Sequence, residues 1–159
     1  MTPVEMAAVF AVGGSVLAVA APTFIRDLHA SRTSEAIDGI HRIAARSVAL
    51  SEGREIAASF PQPAPLTPAE IPRGRPVTDP PGTWDHPTWK ELEFSFSNAH
   101  YYAFQYNVST EPTRIWFQAI AQGDLNGDGV TSTFIVEGER RPGQNAVVLP
   151  GLHVNREVE

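Results

Sequence analysis

The first part of the chain contains an apolar run that a small domain could not bury by itself. From Val4 to Ala21 the only charged residue is Glu5, and no lysine or arginine precedes Arg26. A run of this length is about the minimum that spans a bilayer as a helix. A carboxylate in hydrocarbon costs on the order of a few kcal/mol, so Glu5 needs a cationic partner. Nothing nearby in sequence can be that partner except the N-terminal amine.

Three interpretations of this run are open. A secretory signal peptide would be cut after Ala20 in AVAAP, but its first residues should be basic, and here they carry Glu5. A buried core helix is disfavoured by Gly13, Gly14 and Pro22, each of which costs a helix interior about 1–3 kcal/mol. The third is a stem that a membrane or a filament shelters.

The third interpretation follows from a family resemblance. The run resembles the mature N-terminus of a type IV pilin, a family with a glutamate at the fifth position and a proline near the twenty-second; Glu5 and Pro22 stand there. The resemblance implies that Met1 is the first mature residue and that its amine is N-methylated, which keeps the positive charge. It implies that Glu5 pairs with this amine on the same or a neighbouring subunit and sets the axial register. It also implies a helix that melts between Gly13-Gly14 and Pro22.

After Pro22 the pattern becomes amphipathic. Apolar and small residues recur at spacings of mostly three and four, at Ile25, Leu28, Ile37, Ile40, Ala44, Val48 and Ser51. We therefore divide the stem into an apolar part, residues 1–24, and an amphipathic helix over residues 25–58. Phe60-Pro61 is expected to end this helix, because a residue before proline avoids the helical conformation.

Prolines dominate the next segment, residues 59–91, and predict a surface loop without regular structure that carries polyproline II stretches. The loop ends in the W-x-x-P-x-W stretch that runs from Trp84 to Trp89. This stretch resembles a subgroup of type IV pilins in which a proline-rich loop leads to the same motif.

Period-two alternation of apolar residues in the C-terminal part, residues 92–159, predicts an antiparallel sheet with one buried face. The expected strands are LEFSFS (92–97), HYYAFQYNV (100–108), RIWFQAIAQ (114–122) and TFIVEG (133–138). The apolar stripe of the amphipathic helix is the natural cover for this face. We therefore expect an α+β fold of the type IV pilin kind, in which a long N-terminal helix packs on a small sheet of about four strands.

The most specific motif of this part is D-x-N-x-D-G, formed by Asp124, Asn126, Asp128 and Gly129. Oxygen ligands at alternate positions followed by glycine are typical of the opening of an EF-hand calcium loop. The twelfth position holds Ile135 instead of the bidentate glutamate. Two interpretations stay open: a Ca²⁺ site, and a tight hairpin turn in which Asp and Asn bind their own backbone. No other cofactor is indicated.

Composition excludes several classes of function. The net charge of −6 and the single lysine argue against a nucleic-acid partner. The chain has no cysteine, so it has neither disulfides nor thiolate ligands. Its five histidines are scattered, without a recognisable triad or metal spacing, and we expect them at the surface or in loops. No nucleophile or phosphate-binding motif occurs, so the chain is not expected to be an enzyme.

The resemblance implies a structural subunit of a type IV pilus, or fimbrium. Such a subunit is held in the inner membrane, handled by the pilus assembly machinery and polymerised with identical subunits into an extracellular helical filament for adhesion or motility. A minor pilin or a type II secretion pseudopilin is the related alternative. An alternative of a different class is a membrane-anchored binding module whose stem is only a tether.

Overall fold

A computed structural model of the chain describes residues 32–156. Helix α1 covers residues 32–51, and a short helix α2 covers Pro87–Glu91. A single 3₁₀ turn lies at Ile56–Ala58. Six strands are present in this part of the chain: β1 (Ala64–Thr67), β2 (Tyr102–Glu111), β3 (Arg114–Gly123), β4 (Ser132–Arg140), β5 (Val147–Val148) and β6 (His153–Asn155).

The strands form one antiparallel sheet in the order β1-β2-β3-β4-β5, and β6 pairs with β4 beside β5. A tight turn joins β2 to β3, so that Glu111 pairs with Arg114. The next hairpin is wider, because its last pair is Gly123 with Ser132 and residues 124–131 lie between them. This wider hairpin therefore carries the D-x-N-x-D-G motif at one end of the sheet.

Helix α1 packs against the inner face of the sheet. Its buried side includes Ala36, Ile40 and Ile43, which recur at the helical spacing. Gly39 allows the closest approach, since the ring of Phe104 on β2 occupies the place where a side chain would be. The inner face also presents the buried aromatic residues Tyr102, Tyr106, Phe117 and Phe134. The core therefore lies between α1 and the three long strands.

The end of α1 is set by glycine and by an arginine from the sheet. Gly53 has φ +72°, a left-handed conformation that commonly ends helices. Arg140 on β4 donates hydrogen bonds of 2.9 Å to the carbonyl oxygens of Ser51 and Arg54 and to Ser59 Oγ. These donors satisfy carbonyl groups that have no partner within the helix. The prediction that the helix continues to residue 58 was wrong.

The predicted fold class was also wrong. Instead of a small sheet of about four strands, the described residues form a six-stranded sheet, with more residues in strands than in helices. No long N-terminal helix of the expected kind lies within residues 32–156, where α1 covers only residues 32–51. The pattern missed β1 because it includes Pro65, which an edge strand tolerates. It missed β5 and β6 because strands of two and three residues are too short to show alternation.

The predicted strand at residues 92–97 is absent. His86 caps α2 by accepting the Thr88 N–H, and Pro87 occupies the first helical position. The chain then turns at Glu93, which has φ +52°. The alternation of Phe94 and Phe96 comes from the contact between their two rings. Neither residue pairs with a strand. The other three predicted strands are confirmed as β2, β3 and β4.

Candidate functional site

The residues predicted to control assembly lie outside the described part of the chain. They are Met1, Glu5, Gly13, Gly14 and Pro22, and their arrangement stays a prediction. Among residues 32–156, neither helix combines the length and the apolar character that crossing a bilayer requires. The three candidate metal ligands do lie in the described part, in the β3–β4 hairpin.

Asp124 organises this hairpin from the inside. It is only 2% exposed, and its two carboxylate oxygens hold two different glycine N–H groups. Oδ1 accepts from Gly127 N at 2.6 Å, and Oδ2 accepts from Gly129 N at 2.9 Å. Hydrogen bonds from these two backbone amides offset the free-energy cost of removing the carboxylate from water.

Asn126 and Asp128 form two further local turns. Asn126 Oδ1 accepts from Asp128 N at 2.8 Å, and Asp128 Oδ1 accepts from Val130 N at 2.7 Å. Asn126 Nδ2 also donates to Asp128 Oδ2 at 3.1 Å. Each side-chain oxygen of the motif therefore accepts a hydrogen bond from within the loop, as expected of Asp and Asn in a self-supporting turn.

The surrounding residues fit a calcium ion poorly. Within residues 32–156, no group of three or more acidic, histidine or cysteine side chains comes together in a way that could hold a metal. Ile135 occupies the place of the bidentate glutamate, and Glu137 does not compensate, because its Oε1 accepts from Gln118 Nε2 at 2.7 Å on the opposite strand. The hydrogen bonds favour the hairpin interpretation, while calcium binding stays a prediction.

Calcium titration separates the two interpretations. If the hairpin supports itself, we expect millimolar Ca²⁺ to produce no binding heat and no change in the unfolding midpoint. A ligand that binds only the folded state must raise that midpoint. Magnesium at the same concentration is the control for ionic strength. A saturable heat with Ca²⁺, together with a higher midpoint, would establish the metal site instead.

The proline-rich segment docks onto this hairpin. Gly74 N donates to the carbonyl oxygen of Asp124 at 2.7 Å. A Cβ atom placed on Gly74 would lie 3.4 Å from the Cα of Gly127, so the two backbones are in close contact. We call the contact of Gly74 with Asp124 and Gly127 the loop junction. An open groove of about 700 Å³ beside it is lined by Arg73 and Arg75 among others.

A buried cluster holds the next part of the proline-rich segment. The side chains of His100 and Asp79 are 0% and 5% exposed, and His100 Nε2 lies 2.8 Å from Asp79 Oδ2. The indole N–H of Trp84 donates to the same Asp79 oxygen at 2.7 Å. His100 Nδ1 lies 2.8 Å from the carbonyl oxygen of Tyr102, and since a carbonyl only accepts, Nδ1 carries a hydrogen. We call Asp79, Trp84 and His100 the aspartate clasp.

His100 has no access to a bound molecule, because both of its ring nitrogens are engaged and its imidazole is buried. Asp79 and Trp84 do line an open groove of about 420 Å³. His100 was expected at the surface or in a loop; it lies in the connection just before β2, but it is fully buried rather than at the surface. A signal was present, because His100 is in phase with the alternating residues Tyr102 and Phe104. Its partner Asp79, in the proline-rich segment, has no comparable signal.

Glu35 ties α1 to the start of β2. Its Oε1 accepts the backbone N–H groups of Tyr101 and Tyr102 at 2.8 and 3.1 Å. Burial raises the pKa of Glu35 above its ordinary value, and this effect outweighs the two N–H donors and the nearby His100, which act in the opposite direction. The Glu35 carboxyl group therefore stabilises the fold through the hydrogen bonds that it accepts, and its negative charge destabilises the fold because the group is partly buried.

Replacing Glu35 by glutamine separates these two effects. Because a raised pKa means that folding favours the neutral carboxyl, the contribution of Glu35 is present below its ordinary pKa and is lost as the pH rises through the folded-state value. We therefore expect Glu35→Gln to gain stability relative to the wild type as the pH rises from acidic to neutral, measured by urea unfolding. Glu35→Ala, which removes the acceptor, should lose about 1–3 kcal/mol at both pH values. Parallel pH curves for wild type and Glu35→Gln would contradict this account.

Comparisons with protein-family models, curated proteins and solved structures found no match. The family resemblance therefore rests on the sequence motifs alone and enters below as a proposal.

Proposed function

We propose that the chain is the structural subunit of a type IV pilus, which polymerises through its N-terminal segment into a helical surface filament. In this proposal the subunit is first inserted in the inner membrane, and the assembly machinery then transfers it to the growing filament. The proposal concerns the role of the chain and not the fold expected for the family, which the six-stranded sheet corrects.

One observation carries the proposal: Glu5 is the only charge between Val4 and Ala21. In a tether that merely crosses a membrane, a carboxylate in the apolar part has an energetic cost and no role. In a segment that docks against a copy of itself, the carboxylate can specify the register, because its pairing with a neighbour's amine is favourable in one register only. Pro22 and the Gly13-Gly14 pair agree with this role, since they allow the segment to extend locally.

The described residues are consistent with a subunit that bears load. Helix α1 comes first in the described part of the chain, and Glu35 fixes it to two successive backbone N–H groups of the sheet. Arg140 fixes the other end of the helix to β4. Tension entering through α1 would therefore pass into the sheet at two separated points. Such anchoring supports the proposal because a filament subunit loaded through its N-terminal segment needs its helix attached to the rest of the fold.

Electron microscopy of material sheared from cells that make this chain tests the proposal, with mass spectrometry of the chain's N-terminus in the same sample. We expect thin filaments composed of a chain that begins at N-methylated Met1. Short or rare fibres that contain this chain only at one end would indicate a minor pilin or pseudopilin. A membrane-bound monomer without filaments would favour the binding module, and a soluble monomer beginning at Ala21 would identify the first 20 residues as a signal peptide.

A further inference from the structure

The β3–β4 hairpin contains a pair of residues with known chemical reactivity. Of the five asparagines in the chain, only Asn126 is followed by glycine. Glycine has no side chain to hinder its backbone nitrogen, so this nitrogen can approach the side-chain carbon of the preceding asparagine. Closure of that ring gives a succinimide and releases ammonia. Sequence alone would therefore predict spontaneous deamidation at Asn126.

The geometry of the hairpin opposes this reaction. Ring closure requires the Gly127 nitrogen to lose its hydrogen, and that N–H donates to Asp124 Oδ1 at 2.6 Å. A buried carboxylate stabilises the intact N–H and repels the amide anion that must form. The Asn126 amide is also held, since both of its ends bond to Asp128.

We propose that Asn126 is a deamidation site that Asp124 keeps closed while its carboxylate holds the Gly127 N–H. Asp124 also contributes its backbone oxygen to Gly74, so the protection and the docking of the proline-rich segment involve one residue. Local opening of the hairpin at Asp124 exposes Asn126 to reaction. The inference depends on the hairpin and not on the filament role.

The reaction balances with water as the only co-reactant. A hydroxide ion takes the proton of the Gly127 nitrogen, and the nitrogen's electron pair forms a bond to Cγ of Asn126. The bond from Cγ to Nδ2 then breaks, and Nδ2 leaves as ammonia after taking a proton from water, which restores the hydroxide. One water molecule opens the succinimide at either carbonyl and leaves aspartate or isoaspartate at position 126.

Either product alters the hairpin. Isoaspartate lengthens the backbone by one carbon immediately before Gly127, whose backbone packs against that of Gly74. Aspartate adds a third carboxylate beside Asp124 and Asp128. We expect the isoaspartate form to loosen the loop junction, so that one deamidation event makes the open state persistent.

The test follows isoaspartate and aspartate at position 126 by peptide mass mapping during incubation of the full chain at neutral pH. Two variants carry the same change in charge. Asp124→Asn removes the carboxylate that holds the Gly127 N–H, and Asp85→Asn, in the proline-rich segment, leaves it in place. We expect Asp124→Asn to raise the rate by about tenfold or more, and Asp85→Asn to change it by less than about twofold.

A second comparison needs no variant and covers the case in which Asp124→Asn fails to fold. The wild-type chain is incubated folded and in denaturant, and amide hydrogen exchange at Gly127 is measured in the folded state. We expect slow exchange and at least about tenfold slower deamidation when the chain is folded. Equal rates for the folded and denatured chain, or equal rates for the two variants, would overturn the proposal.

Discussion

Glu5→Ala is expected to abolish filament assembly or to reduce it sharply, while the described part of the chain stays folded. The carboxylate is the only charge in the segment from Val4 to Ala21, so its removal deletes the one interaction that could specify axial register. Apolar packing alone allows many registers of similar energy. Filament yield after shearing is the measurement for assembly, and the unfolding midpoint is the measurement for the fold.

Ser15→Ala is the matched control for Glu5→Ala. It removes a polar group from the same apolar segment without changing the charge. We expect filament yields near those of the wild type from this variant. Normal filaments from Glu5→Ala would contradict the role of Glu5, and equal losses from both variants would indicate that any polar change in the segment prevents assembly.

Asp79→Ala is expected to lower the free energy of unfolding by about 2–5 kcal/mol, because a buried group left without its hydrogen-bond partner costs about 1–3 kcal/mol and two groups lose theirs. The substitution leaves the N–H of Trp84 and one nitrogen of His100 without an acceptor in a buried place. It also detaches the proline-rich segment next to Val77, which pairs with the backbone of His100. Urea unfolding of the full chain measures the loss.

Asp85→Ala provides the comparison for Asp79→Ala within the same segment. The Asp85 carboxylate pairs with Lys90 at 2.9 Å, but both side chains are more than 60% exposed. An exposed pair contributes less than about 1 kcal/mol, so this variant should unfold close to the wild type. Asp79→Asn, which keeps an oxygen for Trp84, should lie between the two. Similar losses from Asp79→Ala and Asp85→Ala would show that the aspartate clasp does not stabilise the fold.

The sequence predicted the long strands because their side chains alternate between core and surface. Strands β2, β3 and β4 each run for nine or ten residues, long enough for the alternation to be visible. The same pattern was misleading at Phe94 and Phe96, where aromatic packing without strand pairing also places alternate residues inside. Strand β1 was hidden by proline, and β5 and β6 were too short to show alternation, so the predicted number of strands and the predicted fold class were wrong.

The candidate site was predictable where its contacts are local. The turns made by Asn126 and Asp128 involve residues two positions apart, and the motif itself indicates them. The aspartate clasp joins residues 21 positions apart, and the loop junction joins Gly74 to Asp124. Neither pairing follows from a local pattern, because only the folded path of the proline-rich segment brings these groups together.

Helical reconstruction of filaments sheared from the cell surface tests the central claim most directly. The account predicts that the segments from Val4 to Ala21 of neighbouring copies pack along the filament axis, with each Glu5 carboxylate facing an N-terminal amine. The sheets of residues 32–156 should form the outer layer. A filament held together by its sheets with Glu5 in solvent, or the absence of any filament that contains this chain, would contradict the account.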